Sequence, residues 1–344
     1  MATTRSIDYT VNHRPSRNLA VQLARFREIG IVIFLVLVIA GATIFEPRFF
    51  SAFNMRSILL WVPLLAVVAM GEMMVIITRG IDVSVGATLA LAGIIVGMIF
   101  RDFPNFNIFL GTLLGILIGM VLGMFNGAMI AWLHIPPVIT TLGTLSMYRG
   151  LTFIVSRGRQ IDPNYIPRPL IKWSQTGPFG LEIVPWVVVI AIVVAILTYL
   201  LLRYTKMGRN VYAIGGNPDA ARLRGIPVEF TTFAVYAFTG AMAGLAGILY
   251  ASRFGFVNPG ETGVGFELTV IAAVVIGGTN VFGGSGSVLG VFLGCLLLGA
   301  INVALAVLGI SATWQLAVYG FVILLAVVVD AIIQRELRRA STGE

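Results

Sequence analysis

Three acidic residues lie in or beside long apolar stretches of the chain, where an ionisable side chain could line a path for ions or polar solutes. Glu72 lies inside one apolar run, Asp82 follows it within the segment 80–86, and Glu267 stands at the start of a later run. An acid inside a membrane is costly unless it is paired or hydrated, so such residues are functional candidates by default. Structural alternatives stay open: Asp82 or Ser84 could cap the next helix, and Glu72 could snorkel to the surface or bond to a neighbouring span.

The segment 277–287, GGTNVFGGSGS, is rich in glycine and follows an apolar run. A phosphate-binding loop needs the pattern GxxxxGK[ST], and this segment has no lysine, so nucleotide binding is not predicted. We interpret the segment as a tight connection, followed by a helix whose Gly290, Gly294 and Gly299 favour close packing. Its outline is similar to that of the interruption after Thr78, but the identity between the two is too low to establish an internal repeat.

Asn126 and Asn302 are amide residues within apolar runs. Interhelical hydrogen bonds explain most residues of this kind, and a position facing a polar solute is the alternative. The candidates for a polar pathway through the membrane and for its hinges are Asp82, Ser84, Gly86, Asn126, Gly277 and Gly278.

The chain lacks a recognisable set of residues for metal, redox or hydrolytic chemistry. Cys295 is its single cysteine, so neither an intrachain disulfide nor a CxxC pair can form. Two histidines cannot build a metal centre, and His134, close to two prolines, is expected at a helix end. An intramembrane enzyme needs a nucleophile, an acid–base pair or a metal set. We therefore expect a non-catalytic chain that binds no cofactor.

The composition of the chain indicates the environment in which these residues lie. Of 344 residues, 58% are hydrophobic and 11% are charged, with a mean hydropathy of +0.96, whereas soluble domains carry about 25% charged residues. At about 20 residues per crossing, the apolar runs predict an all-α polytopic membrane protein with about ten (eight to ten) transmembrane helices, some of them broken or re-entrant. The runs cover approximately 29–46, 58–78, 83–101, 108–133, 136–155, 183–203, 230–252, 266–280, 286–309 and 313–333.

The basic residues predict the orientation of these spans. The net charge is +8, and Lys and Arg concentrate in loops on the cytoplasmic side of membrane proteins. With both termini inside, that side receives the arginines of residues 1–28, Arg79, the cluster at 203–224 and the tail 334–344. Residues 1–28 lack the apolar core and cleavage site of a signal peptide. The predicted organisation is a cytoplasmic N-terminal segment 1–28, a transmembrane domain 29–333 and a cytoplasmic tail 334–344.

A short helix is predicted on the cytoplasmic face, at about 218–224. Asn217 is a good N-cap, Pro218 suits the first helical position, Asp219 suits the positive end of the helix dipole, and Gly225 ends the helix. A helix of two turns is marginal alone in water, so it must pack on something. It either packs on its own spans or docks in a groove of a partner protein.

Four stretches of the chain, in order, resemble the permease subunits of bacterial carbohydrate ABC importers of the ribose, xylose and autoinducer-2 type. They are RGIDVSVGATLALAG at 79–93, AWLHIPPVITTLGTLSMYRG at 131–150, MGRNVYAIGGNPDAARLRGI at 207–226 and FELTVIAAVVIGGTNVFGGSGSVLG at 266–290. The resemblance covers about residues 30–333. It implies a subunit of the bacterial inner membrane that pairs with a second copy or a paralogue, binds ATPase subunits inside, and receives cargo from a periplasmic or lipid-anchored solute-binding protein.

The same resemblance assigns roles to residues of this chain. ATP and Mg²⁺ would be bound on the partner ATPase, and ATP-driven alternating access would move the cargo. The family's ATPase-coupling helix falls on Asn217, Pro218, Asp219, Ala220, Ala221, Arg222, Leu223 and Gly225, and we expect substitution of Ala221 or Arg222 to leave folding intact while reducing transport. Outer residues that could dock the binding protein by charge are Arg157, Arg159, Arg168 and Glu261. The cargo is left open between ribose, rhamnose or another monosaccharide, and autoinducer-2.

Two other functions compete with this interpretation. An ion-coupled secondary sugar transporter would need several buried carboxylates, and few are found: Glu72 and Asp82 are expected near the cytoplasmic end, Glu267 near the outer one. A membrane anchor or lipid-modifying enzyme is disfavoured because no catalytic constellation is recognisable.

Overall fold

The computed structural model describes residues 16–178 and 184–311, with side chains from residue 29, and single residues between 314 and 328. In these ranges the fold is helical, apart from one isolated bridge between Ile161 and Val257. The last predicted span, 313–333, lies mostly outside the described residues, as do residues 1–15 and the tail 334–344. The helices are α1 Ser16–Phe45, α2 Ala52–Ile77, α3 Val85–Asp102, α4 Ile108–Ala131, α5 Pro137–Ser156, α6 Arg168–Gln175, α7 Trp186–Tyr204, α8 Lys206–Gly216, α9 Pro218–Leu223, α10 Val228–Phe254, α11 Phe266–Ile276 and α12 Val288–Val307, with a 3-10 turn at Pro47–Phe50.

Seven of these helices are long and apolar enough to cross a membrane: α2, α3, α4, α5, α7, α10 and α12. The segment Ile29–Phe45 of α1 and the whole of α11 are shorter apolar helices. The predicted all-α polytopic architecture is therefore confirmed for the described residues. With 11 residues, α11 rises only about 16 Å at 1.5 Å per residue, roughly half of a bilayer core, so it is one of the short segments that the sequence predicts.

The helix α2 forms the centre of the molecule. Every residue from 62 to 77 is buried, among α10, α12, α7 and α11. A helix that is apolar all round, as α2 is, belongs inside a membrane protein rather than at its rim. In contrast α4, α5 and α7 expose most of their surface, and large side chains such as Ile196 and Leu197 of α7 point outward. These three helices carry much of the exposed apolar surface of the described residues.

Glycines bring α4 and α10 into backbone contact. A Cβ atom placed at Gly119 would overlap the carbonyl oxygen of Gly240, and one placed at Gly123 would overlap that of Tyr236. Along α4 the glycines recur every fourth residue, at 111, 115, 119, 123 and 127, which is the small-residue spacing that lets membrane helices approach closely. This contact holds the N-terminal half of α10 in place. The Tyr236 side chain in that half lies beside Gly80, just after the end of α2.

Candidate functional site

The short helix α9 forms as its sequence predicts. The Oδ1 atom of Asn217 accepts hydrogen bonds from the backbone N–H groups of Asp219, at 3.0 Å, and Ala220, at 3.1 Å. Pro218 occupies the first turn, where its missing N–H costs nothing. The helix ends at Gly225, whose φ of +75° is left-handed and is easily adopted by glycine. Local capping chemistry is thus enough to define this helix.

One side of α9 packs on the chain itself, while its last residue faces outward. Ala221 is 4% exposed and contacts a small cluster with Ile214 and Val228. Leu223 is 90% exposed, an unusual position for a large apolar side chain on a two-turn helix. Packing on its own chain is therefore confirmed for the side that carries Ala221, while docking on a partner stays a prediction for the end that carries Leu223. Because Ala221 is buried in that cluster, Arg222 is the better position at which to test whether transport can be reduced with folding intact.

Arg222 belongs to a surface ion-pair group. Its guanidinium lies 2.9 Å from Glu229 and 3.6 Å from Asp219. Exposed pairs of this kind contribute about 0.2–1 kcal/mol each. They orient α9 on the first turn of α10 without making the fold depend on it.

A buried polar cluster holds the connection between α2 and α3. The Oε1 atom of Glu72 accepts from the backbone N–H of Asp82 at 3.0 Å. The Oδ1 atom of Asp82 accepts from Ser84 twice, from its N–H at 2.9 Å and from its hydroxyl at 2.6 Å. Asn126 of α4 donates its side-chain N–H to the Ser84 hydroxyl at 2.8 Å. Four residues from three parts of the chain thereby form one hydrogen-bond chain.

The cluster decides between the alternatives that the sequence leaves open. Ser84 occupies the N-cap position of α3 but makes no side-chain capping bond, and Asp82 accepts from Ser84 rather than from the first helical residues. Glu72 does not snorkel, because it is fully buried and bonds to the neighbouring connection. Asp82 and Ser84 are also buried, as is Gly86, so these residues lie in a closed core in this conformation.

Two aromatic residues complete the cluster, and the sequence analysis did not identify them. Tyr148 of α5 donates its hydroxyl to the backbone oxygen of Leu122 at 2.8 Å and lies 3.4 Å from the side chain of Asn126. Tyr236 of α10 is 1% exposed, and a Cβ atom at Gly80 would overlap its hydroxyl. Neither residue has a local sequence signal, since tyrosines in apolar helices are common. Their roles follow from distant segments meeting in space.

Two buried oxygens beside the cluster lack a partner among the described residues: the Tyr236 hydroxyl and Oε2 of Glu72. Tyr236 also lines a cavity of about 130 Å³ behind α9, bordered by Gly80, His134 and Arg222. A space of this size, with polar groups of His134 and Arg222 on its otherwise mainly apolar wall, can hold several water molecules, which would satisfy the buried hydroxyl. His134 lies at the end of α4 with a left-handed φ of 55°, the helix-end position that the sequence predicts.

The connection between α11 and α12 is built mainly from close backbone contacts, with Asn280 accepting from the N–H of Phe282 at 2.9 Å inside it. Gly277 ends α11 and lies against the backbone of Gly290 and Val291, while Gly278 has a φ of +91°. A Cβ atom at Gly294 would overlap the carbonyl oxygen of Ala273. The predicted tight connection, followed by a glycine-bearing packing helix, is confirmed.

The prediction that Glu267 lies near the outer end of the spans is wrong. This residue sits in the first turn of α11, against Gly86 in the first turn of α3. The non-helical segment between α10 and α11 places Glu267 beside the N-terminal end of α3. Arg149 of α5 binds this segment, donating to the backbone oxygens of Thr262 at 2.7 Å and Pro259 at 3.3 Å. Arg149 is a charged residue within the predicted span 136–155. Such a residue is a signal of function, and the sequence analysis did not consider it.

The face opposite α9 carries the residues proposed for docking. Arg157 and Arg159 are exposed and border an open basin of about 750 Å³, together with Arg101, Asp102 and Asp162. Arg168 and Glu261 are exposed outside this basin. The basin is polar and carries charges of both signs, which suits a soluble protein surface. Within the described residues, no group of three or more His, Cys, Asp or Glu is placed to hold a metal ion.

Comparison with known proteins gives a family and a set of relatives. The profile of the family described as branched-chain amino acid transport system / permease component matches residues 54–327. The autoinducer 2 import system permease protein LsrC of Photorhabdus luminescens is 35% identical over 92% of this chain and 94% of its own length. The protein of the same name from Escherichia coli O9:H4 is 34% identical over 91% of this chain and 90% of its own length. No solved structure matches the chain.

Proposed function

The chain belongs to the family of transport-system permease components, and we propose that it is the membrane-spanning subunit of an ATP-driven importer of sugars or sugar-like solutes in the bacterial inner membrane. As a permease it is a transport subunit without catalysis of its own. ATP and Mg²⁺ are bound and ATP is hydrolysed on a separate ATPase subunit, and this chain binds no cofactor.

The observation that carries the proposal is α9. It is a short, well-capped helix with Leu223 exposed at its end and Ala221 anchored to the chain, so it is attached firmly and still presents a contact outward. Such a helix can dock in a groove of an ATPase subunit and move with it. The proposed coupling helix comprises Asn217, Pro218, Asp219, Ala220, Ala221, Arg222, Leu223 and Gly225, with Ala221 on the side that faces its own chain.

The orientation follows from α9. If α9 faces the cytoplasm, then the basic residues beside it, such as Arg203 and Arg209, obey the rule that positive loops stay inside, and both termini are cytoplasmic. The basin of Arg157 and Arg159 then faces outward, where a solute-binding protein can dock. Arg168 and Glu261 extend that surface. The exposed faces of α4, α5 and α7 meet lipid and a second permease, either a copy of this chain or a paralogue.

The mechanism that we propose is alternating access. A ligand or a nucleotide shifts a conformational equilibrium only by binding one state better than the other, so the permease needs to hold its cargo only weakly. The closed core of Asp82, Ser84, Gly86 and Asn126, with Gly277 and Gly278 opposite, would open and close as the helices rock. The moving domain is 29–333, with 1–28 and 334–344 as cytoplasmic ends.

The cargo proposal rests on the relatives. Proteins about 35% identical along most of the chain are named as autoinducer 2 permeases, so autoinducer-2 is the first solute to test, with ribose and rhamnose beside it. The family description names branched-chain amino acids, which makes leucine the informative comparison. Uptake of leucine with no uptake of the other three would contradict the sugar proposal.

The test begins with gentle purification of the tagged chain from its native membrane and mass spectrometry of the proteins that accompany it. We expect an ATPase subunit and a solute-binding protein. Uptake is then measured in cells after ATP depletion and, separately, with a protonophore. Uptake that survives ATP depletion and collapses with the proton gradient, together with recovery of the chain alone, would favour an ion-coupled secondary transporter.

A further inference from the structure

The end of α8 meets the end of α2 by backbone packing of Gly215 against Ile77, and it meets the connection that follows α2 through the side chain of Arg79. Arg79 donates from Nε to the backbone oxygen of Gly215 at 2.8 Å and from Nη2 to that of Gly216 at 2.6 Å. These carbonyls lie at the C-terminal end of α8, where helix carbonyls lack intrahelical partners and carry partial negative charge. A guanidinium suits these two carbonyls because its Nε–H and one Nη2–H point in parallel directions, so that each can donate to one oxygen. Gly216 is followed directly by Asn217, the N-cap of α9.

The backbone of Arg79 adopts a conformation that its residue type disfavours. Its φ of 68° is left-handed, the region in which a helix commonly ends on glycine. Gly80 follows immediately, so a small change of register would have placed a glycine there. An arginine held at such a position indicates that its side chain is used. That side chain turns away from Asp82 and the buried cluster, toward α8.

The same end of α8 also touches the second connection. Tyr212 donates its hydroxyl to the backbone oxygen of Gly286 at 3.0 Å, and Gly284 donates its N–H to Ile77 at 2.9 Å. A Cβ atom at Gly283 would overlap Cγ of Arg79. The end of α8, the α2–α3 connection and the α11–α12 connection therefore meet at one junction, with Arg79 at its centre.

We propose that Arg79 is a positioning residue that transmits the movement of α8–α9 to the two membrane connections, and this proposal rests on the function proposed above. When α9 moves with an ATPase, the end of α8 must move with it, since the chain is continuous. Two charge-assisted hydrogen bonds then pull on the second residue after α2, three positions before Asp82. Without the guanidinium, only the packing of Gly215 against Ile77 couples α8 to this side of the junction among the described residues, so the α2–α3 connection follows the movement of α9 less closely.

The deciding variant is Arg79→Gly. Glycine adopts the left-handed conformation easily, and Arg79 and Gly216 are both exposed, so water can reach the Gly216 carbonyl once the guanidinium is removed. We therefore expect Arg79→Gly to insert, to unfold at the temperature of the unmodified chain and to copurify with the ATPase. Reconstituted with that ATPase and the binding protein, it should import autoinducer-2 or ribose at least tenfold more slowly while ATP hydrolysis continues. The ATP consumed per solute imported should rise accordingly.

Two further variants make the test specific. Arg79→Lys keeps a cation at the end of α8 and should recover part of the transport, with an intermediate ATP cost per solute. Arg203→Ala removes an exposed arginine at the end of α7 and should leave both rates within twofold of the unmodified chain. If Arg79→Gly cannot be purified, the comparison of Arg79→Lys with Arg203→Ala decides by the same ratio.

Three results would overturn the proposal. They are an Arg79→Gly protein that imports solute at the normal ATP cost, one that loses the ATPase together with transport, and an Arg79→Lys protein no different from Arg203→Ala. The second result would make Arg79 a support for the shape of α9 only. Failure of the unmodified chain to import any of these solutes with ATP would instead refute the proposed function.

Discussion

The two connections that meet at α8 reverse the chain at the same face of the molecule, yet they are built by different means. The α2–α3 connection is held by side chains: Glu72, Asp82, Ser84 and Asn126 form its hydrogen-bond chain. The α11–α12 connection is held by backbone contact around Gly277. A side-chain cluster tolerates change in shape but depends on particular polar groups, whereas a glycine contact tolerates no added atom and needs no particular chemistry. Substitutions should therefore damage the two connections by different mechanisms.

Adding one methyl group to the glycine-built connection should have the largest effect. In Gly277→Ala the new Cβ would stand 2.5 Å from Cα of Val291 and 2.7 Å from the oxygen of Gly290. Backbone cannot rotate away as a side chain can, so we expect a loss of about 3 kcal/mol, the upper range for overpacking. Thermal unfolding in detergent can be followed by a thiol-reactive dye, since the single cysteine, Cys295, is fully buried. Among the described residues, none comes within 4 Å of a Cβ placed at Gly41, so Gly41→Ala is the matched control.

Removing one hydroxyl from the side-chain cluster should have the next largest effect. Ser84→Ala takes away a donor to Asp82 and the acceptor of Asn126. Leaving buried polar groups without partners costs about 1–3 kcal/mol, and we expect about 2 kcal/mol by the same assay. Ser146 is exposed on α5 and bonds only to its own helix among the described residues, so Ser146→Ala should change stability by less than about 0.5 kcal/mol. Equal losses for the two serine variants would contradict the buried cluster.

The hydroxyl that ties α8 to the glycine-built connection should matter less. Burial raises the pKa of Tyr212, so its hydroxyl stays protonated at neutral pH and continues to donate to Gly286. Tyr212→Phe loses one ordinary hydrogen bond, and we expect about 1 kcal/mol, less than Ser84→Ala. A loss greater than that of Ser84→Ala would show that the second connection also depends on side-chain chemistry.

A change on the exposed face of α9 should leave both connections intact. Leu223 is 90% exposed, so Leu223→Ser should not change the unfolding temperature measurably. It should weaken copurification of the ATPase about tenfold, because one apolar side chain at a contact is worth about 1–3 kcal/mol. If Leu223→Ser copurifies with the ATPase as well as the unmodified chain does and transports normally, Leu223 is not part of the contact with the ATPase.

Much of the fold could be predicted because its signals are local. The apolar runs at 58–78 and 108–133 correspond to α2 and α4 within a few residues at the C-terminal ends of these helices, since burial in lipid demands a continuous apolar stretch. The start of α9 was predictable from Asn217 and Pro218, whose partners lie within three residues. The position of Glu267 was not predictable, because it depends on the path of the non-helical segment between α10 and α11, and the sequence of that segment has no periodicity.

The sequence by itself determined that this chain lies in a membrane, which segments are helical, and that a capped two-turn helix interrupts the spans at 218. Each of these properties depends on residues close together in the chain. Only the tertiary structure decided that Arg79 binds α8 across 136 positions, that Asn126 reaches Ser84 across 42, and that Tyr236 lies beside Gly80. The physical reason is that a hydrogen bond between distant segments depends on how helices pack, and glycine contacts such as that between Gly119 and Gly240 set that packing.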